Sequence, residues 1–321
     1  MRYRKTIKVW VVCFLVSLLM YGYFETPNMA MEKYPDSNEI YSTKSEYTVE
    51  RLGKEPVQGE LQIHYLDVGQ ADCTLVVCDG YTMLIDTGLD DQGTKIQYYL
   101  KKLGIERIDY LVLTHTDADH IGSADVILTK FEIGTTFLSN FEKNTKTYQK
   151  LLKLIDYYHI DYLSPAVGNV YALGSASFQI LAPNREYEEP NNMSISLLLT
   201  HGENTFLFTG DAEKEAEGDM LANGLNVAAD VYHVGHHGSK TSTTEEFLDT
   251  VMPRYAVISC GQNNPYGLPD AKVLNYFRER EIKVFRTDEQ GTIVLTSNGE
   301  KITFNVPSSE TWQAGERHIE K

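Results

Sequence analysis

Short apolar runs recur along the chain: LQIHYLDV, CTLVVC, TMLID, IDYLVL, FQILA, SISLLLT, TFLFTG, DVYHV, YAVIS, IKVFR, TIVLTS and KITFNV. Runs of about four to eight β-branched, aromatic and aliphatic residues closed by Gly, Asp or Asn predict strands. Between several of them, apolar positions three or four apart predict helices over Gly93 to Leu103, Ile121 to Lys130, Thr145 to Tyr158, Ala212 to Leu221, Thr244 to Met252 and Ala271 to Arg280. The strands form two clusters, each hairpin-like at its start and helix-separated afterwards. That order predicts an α/β unit of two mixed sheets packed face to face, with helices outside. The chain has no Walker-type loop, no GxGxxG after a strand and no GxSxG, which removes the simplest nucleotide, dinucleotide and serine-hydrolase readings.

The two ends depart from this pattern. A continuous apolar run, Val9 to Phe24, follows Arg2, Arg4, Lys5 and Lys8. It is a little longer than a signal-peptide core of about 7–15 residues and shorter than the roughly 20 of a membrane span. Residues 1–25 are therefore expected to be a signal peptide, with a weak small-residue site ending at Ala30, or an uncleaved anchor. In either case the rest of the chain is expected outside the cytoplasm, membrane-anchored or secreted, because the positive flank stays inside. Residues 26–57 are polar and aperiodic and read as a flexible tether. The folded unit is expected over 58–306, with a polar tail at 307–321.

Charge narrows the partners. Asp and Glu number 45 against 29 Lys and Arg, a formal net charge of −16. Such a chain does not wrap nucleic acid or anionic lipid by bulk electrostatics, so any polyanion must be met locally, by a metal or a small basic patch. Cys13 lies in the apolar run, leaving Cys73, Cys78 and Cys260. With no CxxC pair, and Cys73 and Cys78 on opposite faces of one strand, these read as structural thiols.

The chemistry concentrates at strand ends. Thr114-His115-Thr116-Asp117-Ala118-Asp119-His120-Ile121-Gly122 follows IDYLVL and offers His115, Asp117, Asp119 and His120 as metal ligands. Carboxylates and imidazoles this dense repel one another or remain unpaired unless a cation lies among them. Two more ligand-type groups end later strands: Asp211 in Thr209-Gly210-Asp211, and the pair in His236-His237-Gly238-Ser239. Alone, Asp211 could be a helix cap and the histidines a polar loop. Together with the first cluster they predict a metal site. His64 and His233 lie within strands and read as core or flank residues, His159 as a helix end, His201 as a hairpin residue and His318 as part of the tail.

At these residues the sequence resembles the metallo-β-lactamase-fold hydrolases, and within them the hydrolase-like extracytoplasmic domain of ComEC-type DNA-uptake proteins. The matching stretches are LDVGQAD (Leu66 to Asp72), LIDTG (Leu84 to Gly88), THTDADHIGS (Thr114 to Ser123), NNMS (Asn191 to Ser194), FTGDAE (Phe208 to Glu213), HHGSKTS (His236 to Ser242), YGLP (Tyr266 to Pro269) and RTDEQGTI (Arg286 to Ile293). The resemblance implies an αββα four-layer sandwich and hydrolysis by a metal-held water. It implies that His115 and Asp117 bind one ion, that Asp119, His120 and His236 bind another, and that Asp211 bridges them. Asp119 would orient the nucleophile, and His237, with Thr241 or Ser242 as alternatives, would meet the leaving group or a phosphate. Asp67, Asp86, Asn192, Ser194 and Lys240 would orient ligands or contact substrate. Many relatives carry histidine where this chain has Asp117, and another about 20 residues before the bridging aspartate, where this chain has Asn192 and Ser194. The resemblance implies one or two divalent ions, Mn²⁺ or Zn²⁺ with Mg²⁺ as an alternative, and the oxygen-richer first site shifts preference from zinc towards the harder ions and weakens that site. The implied substrate is a phosphodiester, nucleic acid first, so that a DNA nuclease is the leading expectation. A phosphodiesterase or esterase on small or cell-envelope substrates and a non-catalytic binding relative are the alternatives. Leu268 stands where relatives often have histidine.

Overall fold

The computed structural model describes residues 59–317. The expected signal or anchor, the expected tether, Cys13 and His318 lie outside the described residues. Among the described residues no helix is long and apolar enough to cross a membrane.

Among the described residues, fifteen strands form two mixed sheets. The first begins with the antiparallel strands β1 (Leu61–Tyr65), β2 (Thr74–Cys78) and β3 (Tyr81–Ile85) and continues in parallel through β4 (Arg107–Leu113), β5 (Glu132–Leu138) and β6 (Tyr162–Leu163). The second repeats the plan. Its antiparallel strands are β7 (Val170–Leu173), β8 (Ala176–Ala182), β9 (Ser196–His201) and β10 (Asn204–Phe208), and β11 (Val231–His233), β12 (Tyr255–Ile258) and β13 (Lys283–Arg286) follow in parallel. The chain then returns to the first sheet, where β14 (Ile293–Ser297) pairs with β1 and β15 (Ile302–Phe304) forms the edge.

Strand alternation builds the layers, because successive side chains point to opposite faces. Ile63, Met83, Ile85 and Val112 of the first sheet meet Phe178, Leu197, Leu199, Phe206 and Phe208 of the second in one central core. Their neighbours Leu84, Leu111 and Leu113 point the other way, under helices α1 (Gly93–Lys102), α3 (Ala124–Lys130) and α4 (Lys146–Tyr158). Leu198 and Leu207 likewise turn outward, under α5 (Lys214–Ala222), α6 (Glu245–Val251) and α7 (Ala271–Glu279). Three apolar layers separate four layers of secondary structure, the αββα sandwich. Each fully buried large side chain contributes about 1.5–3 kcal/mol.

Three features depart from the sequence reading. Strands β5 to β7 were not expected: β5 is buried only in its second half, β6 has two residues, and β7 is a short edge strand. The expected helix over 121–130 is split into α2 (Ala118–Ile121) and α3, with Ser123 between them bonding the Leu89 carbonyl. The segment after Val306 continues the folded unit instead of leaving it. Ser309 N donates to Val284 O at 2.7 Å and Gly315 N to Pro269 O at 3.0 Å, while Trp312 packs on the second outer core. Arg286, only 3% exposed, pairs with Asp288 and bonds the Gln313 carbonyl, beside the single turn α8 (Thr287–Gln290). A tail held through backbone carbonyls and one aromatic leaves no apolar period in its sequence. Cys73, Cys78 and Cys260 are buried and free.

Candidate active site

The site lies where the parallel strands of both sheets end, the usual ligand position in α/β sheets. From β4 the chain turns at Thr114, whose N and Oγ1 both donate to Asp86, at 2.8 and 2.7 Å. The Asp117 carbonyl then accepts from His120 N and Ile121 N, starting α2, so the Asp117 side chain is not used as a cap. After β10, Gly210 adopts φ +52°, and a Cβ there would sit 3.0 Å from Thr114 Cβ and 3.1 Å from Ser194 Cβ. Glycine lets the loop carrying Asp211 approach the β4 loop this closely without crowding or backbone strain.

After β11 comes a 3-10 turn, Gly235–Gly238, in which His236 (φ 52°, ψ 46°) and His237 (φ 54°, ψ 25°) are both left-handed. This costs roughly 1–2 kcal/mol per non-glycine residue. The turn is held by His236 N donating to Gly210 O at 3.1 Å and Gly235 N donating to Tyr232 Oη at 3.1 Å. Strain of this kind, over-determined by its surroundings, is characteristic of functional sites.

Four imidazoles share one arrangement, with Nδ1 held from behind and Nε2 facing Asp211. His120 Nδ1 is 2.8 Å from Asp86 Oδ2, and its Nε2 is 3.4 Å from Asp211 Oδ1. His115 Nδ1 donates to Thr114 Oγ1 at 3.2 Å, since that hydroxyl's proton goes to Asp86, and its Nε2 is 3.7 Å from Asp211 Oδ2. His237 Nδ1 donates to Ser259 O at 2.9 Å, leaving Nε2 3.8 Å from Asp211 Oδ2 and 3.3 Å from Asp119 Oδ2. His236 Nδ1 lies 3.0 Å from Thr241 Oγ1 and its Nε2 is 3.7 Å from Asp211 Oδ2. A backing group on Nδ1 fixes the tautomer that presents a bare Nε2.

The electrostatics show how much positive charge this place calls for. Burial opposes ionisation of Asp211 and Asp119, yet His120 and His237 outweigh it and hold both carboxyls well below their ordinary range. Burial likewise opposes charge on His237, but Asp211 and Asp72 push it up to about 10. Burial and the neighbouring His120 push His115 down to about 4. Carboxylates that raise imidazoles this way attract cations, whether protons or metal ions.

The tightest donor group is Asp72, His120, Asp211 and His237, all buried, whose ligand atoms lie within 4.8 Å of one another. Two sequence expectations change here. His237, at 2% exposed, stands beside Asp119 and His120 where His236 was expected; its Nδ1 is bonded to the Ser259 carbonyl and its Nε2 turns inward towards Asp119 and Asp211, the placement of a ligand rather than of a group that meets a leaving group. His236 is more exposed and joins only through Asp211 Oδ2 and through Glu213, 3.2 Å from its Nδ1.

Asp67 is the second change. Its Oδ1 accepts from Gly69 N at 3.3 Å and its Oδ2 pairs with Lys95 at 3.5 Å, so it shapes the loop rather than orienting a ligand. The residue from that motif that does reach the centre is Asp72, unpredicted, 3.5 Å from His233 Nε2. His233 therefore backs the site, with Ser259 Oγ at 2.9 Å, instead of being a plain strand residue. The signal was present in LDVGQAD, where a second acid stands just before the buried strand β2.

The other expected positions sort cleanly. Asp86 Oδ2 lies 2.8 Å from His120 Nδ1 and orients that ring. Ser194 Oγ accepts from Asp211 N at 3.0 Å and lies 3.4 Å from His115 Nδ1, positioning both. Asn192 Oδ1 accepts from Glu213 N at 3.0 Å and Ala216 N at 3.4 Å, anchoring the start of α5 beside Asp211. Lys240 is exposed beyond the histidine turn. Asp117 reaches His115 Nε2 at 4.0 Å and forms a close ion pair with Lys143, a residue the sequence did not single out. Leu268 is half-buried, with its N and O bonded to the Asn264 side chain. His201, bonded to Ser297 Oγ at 2.9 Å, is at the β9 end of the β9–β10 hairpin.

The family model described as the metallo-beta-lactamase superfamily matches residues 66–136 and 183–262, which hold both halves of this site. The chain carries a metallo-beta-lactamase superfamily domain. The domain is 33% identical over 271 residues to ComE operon protein 3 of Bacillus subtilis, covering 78% of this chain and 35% of that one. It is 34% identical over 241 residues to Recombination protein 2 of Haemophilus influenzae, covering 72% of this chain and 28% of that one. Competence protein ComA of Neisseria gonorrhoeae is 30% identical over 239 residues, covering 74% and 32%. The chain thus spans about a third of the length of these relatives. Among solved structures, the metallo-beta-lactamase fold protein YhfI from Bacillus subtilis superposes with a TM-score of 0.51 at 12% identity, over 75% of this chain and 100% of that one. A variant of the CmlA beta-hydroxylase gives 0.50 at 15%, over 78% and 58%. These two likenesses establish the fold, and the domain belongs with the metallo-beta-lactamase hydrolases and their ComEC-type relatives.

Proposed function

We propose that the domain cleaves phosphodiester bonds with the help of divalent metal, that DNA is its substrate, and that it works outside the cytoplasm. One observation carries the metal-dependent part. His115 Nε2, His120 Nε2, His237 Nε2, Asp72 Oδ1 and Asp211 Oδ1 are buried, face one another, and have no hydrogen-bond partner in the protein. Buried polar atoms left unpaired cost about 1–3 kcal/mol each, and more when charged. A divalent ion among the last four, whose ligand atoms lie within 4.8 Å of one another, satisfies them together, while His115 Nε2 faces the outer side of Asp211.

The donor chemistry fits. Two imidazoles and two carboxylates in the tight group suit Zn²⁺ or Mn²⁺ better than Mg²⁺, which takes oxygen ligands and retains water. Asp72, His120, Asp211 and His237 would hold the inner ion, with Asp119 beside it. His115, Asp117 and His236 face the outer side of Asp211. When bound, such ions activate water and neutralise phosphate charge. The protein's own groups do the rest. Asp86 and the Ser259 carbonyl fix the imidazoles, Ser194 fixes Asp211, and the partly exposed, ionised Asp119 accepts a hydrogen bond from the attacking water and aligns it.

Support for DNA comes from relatives named for recombination and competence. Support for smaller phosphodiesters or cell-envelope esters comes from charge. The open cleft of about 510 Å³ beside the site is lined by Glu189, Glu213 and Glu215 against Lys214, which turns a polyanion away from that flank. The apolar segment Val9 to Phe24 supports export and, if uncleaved, a membrane anchor.

With Mn²⁺ present, the wild-type chain is expected to nick supercoiled plasmid and to hydrolyse bis-p-nitrophenyl phosphate. His237→Ala and Asp211→Asn should each reduce both activities by about 10³-fold or more, and His236→Ala by less. Turnover of the small ester without plasmid nicking selects the second reading. No turnover of either substrate by a metal-loaded chain selects a non-catalytic binding protein.

A further inference from the structure

The two sides of Asp211 are not equivalent. On the inner side four donor atoms converge within 4.8 Å and two imidazole nitrogens lack partners. On the outer side His115 Nε2 is 4.0 Å from Asp117 Oδ1, and the carboxylate already has a cation: the Lys143 ammonium is paired with Asp117 Oδ1. Lys143 is no loose surface charge. Its side chain is 24% exposed, and its loop leaves the site-facing end of β5 between fixed points. Ser139 Oγ donates to Met193 O at 2.9 Å, Phe141 packs on the second outer core, and Thr145 caps α4 by accepting from Tyr148 N. The carboxylate at position 117 is what makes an ammonium partner favourable. A neutral imidazole there would offer the ammonium no opposite charge.

We propose that Lys143 is the built-in cation of the outer subsite, so that the domain holds one divalent ion, in the inner group, and uses the Lys143 ammonium where a second ion would otherwise sit. The inference rests on the metal-dependent reading above. A lysine point charge in that position is placed to meet a non-bridging oxygen of a phosphodiester whose reacting phosphorus lies over Asp211, as lysines do at other phosphate sites.

The test counts ions. Wild type, Lys143→Arg, Lys143→Met and the double variant Lys143→Met/Asp117→His are stripped of metal and titrated with Mn²⁺. Bound ions are measured by elemental analysis and by the electron paramagnetic resonance spectrum, which shows a coupled signal when two Mn²⁺ share Asp211. Circular dichroism confirms that each variant folds, and Lys143→Gln substitutes for Lys143→Met if that variant does not. Wild type and Lys143→Arg are expected to hold one ion with an uncoupled spectrum. Lys143→Met is expected to bind a second ion at least tenfold more tightly than wild type, and the double variant to show the coupled signal. Two ions of similar affinity in wild type, or an unchanged second affinity in Lys143→Met and in the double variant, overturns the role of Lys143 alone. No bound ion in any chain overturns the metal reading beneath it.

Discussion

At the residue scale the site depends on what stands behind each ligand. Asp86 receives Thr114 N, Thr114 Oγ1 and His120 Nδ1 while holding a left-handed backbone at φ 59°. Asp86→Asn can place an amide NH₂ against His120 Nδ1, which turns the ring or forces the wrong tautomer. Metal affinity is expected to fall about 10–100-fold, with little change in the fold, as titration with a chromophoric chelator would show. The cluster His115 to His120 was legible because no packing role explains so many ligands after one strand. The choice between His236 and His237 was not. It follows from two consecutive left-handed residues that swing the second imidazole inward, and an HH pair carries no sign of which ring does so. Asp72 and Lys143 were hidden for a different reason. Each comes from a loop remote in sequence from its partners, and only sheet pairing brings them in.

Elements set the precision of these side chains. The segment after the histidine turn is anchored by Glu217 of α5, which is fully buried and accepts from Thr243 N and Thr244 N. Burial raises its pKa against the pull of those amides. Glu217→Ala leaves one buried and one part-buried donor without their partner. It is expected to lower stability by about 1–3 kcal/mol, read by thermal or urea unfolding, and to loosen Thr241, which backs His236. Strands with clean alternation or continuous apolar runs, such as β1, β9 and β10, were readable in advance. Strands β5 to β7 were not, since a half-buried strand, a two-residue strand and a short edge carry too few core positions to set a period. The helix over 121–130 divides at Ser123 because tertiary contact to Leu89 outweighs the local pattern.

For the whole molecule, the two outer cores and the central one make stability depend on residues far from the chemistry. His64 shows the sign of one such dependence. On the outer face of β1, it bonds Tyr99 Oη at 2.8 Å, and burial lowers its pKa from 6.5 to about 4. The unfolded chain therefore takes up a proton between pH 6.5 and 4 that the folded chain refuses. His64 contributes its full stability above pH 6.5 and loses it progressively as pH falls towards 4, by up to about 3 kcal/mol. Replacing it in His64→Gln should flatten the pH profile of unfolding by about one proton over that window. The four-layer plan was legible from two clusters of strands separated by helices, whereas the docking of residues 307–317 was not, because its bonds run through backbone carbonyls. Whether the buried donors at the strand ends hold a divalent ion can be read from anomalous diffraction by crystals grown with Mn²⁺ or Zn²⁺. An anomalous peak is expected about 2.0–2.3 Å from His120 Nε2, His237 Nε2 and an Asp211 oxygen. A fully loaded crystal with no peak among those atoms, or with its strongest peak elsewhere on the chain, would contradict metal binding by these donors.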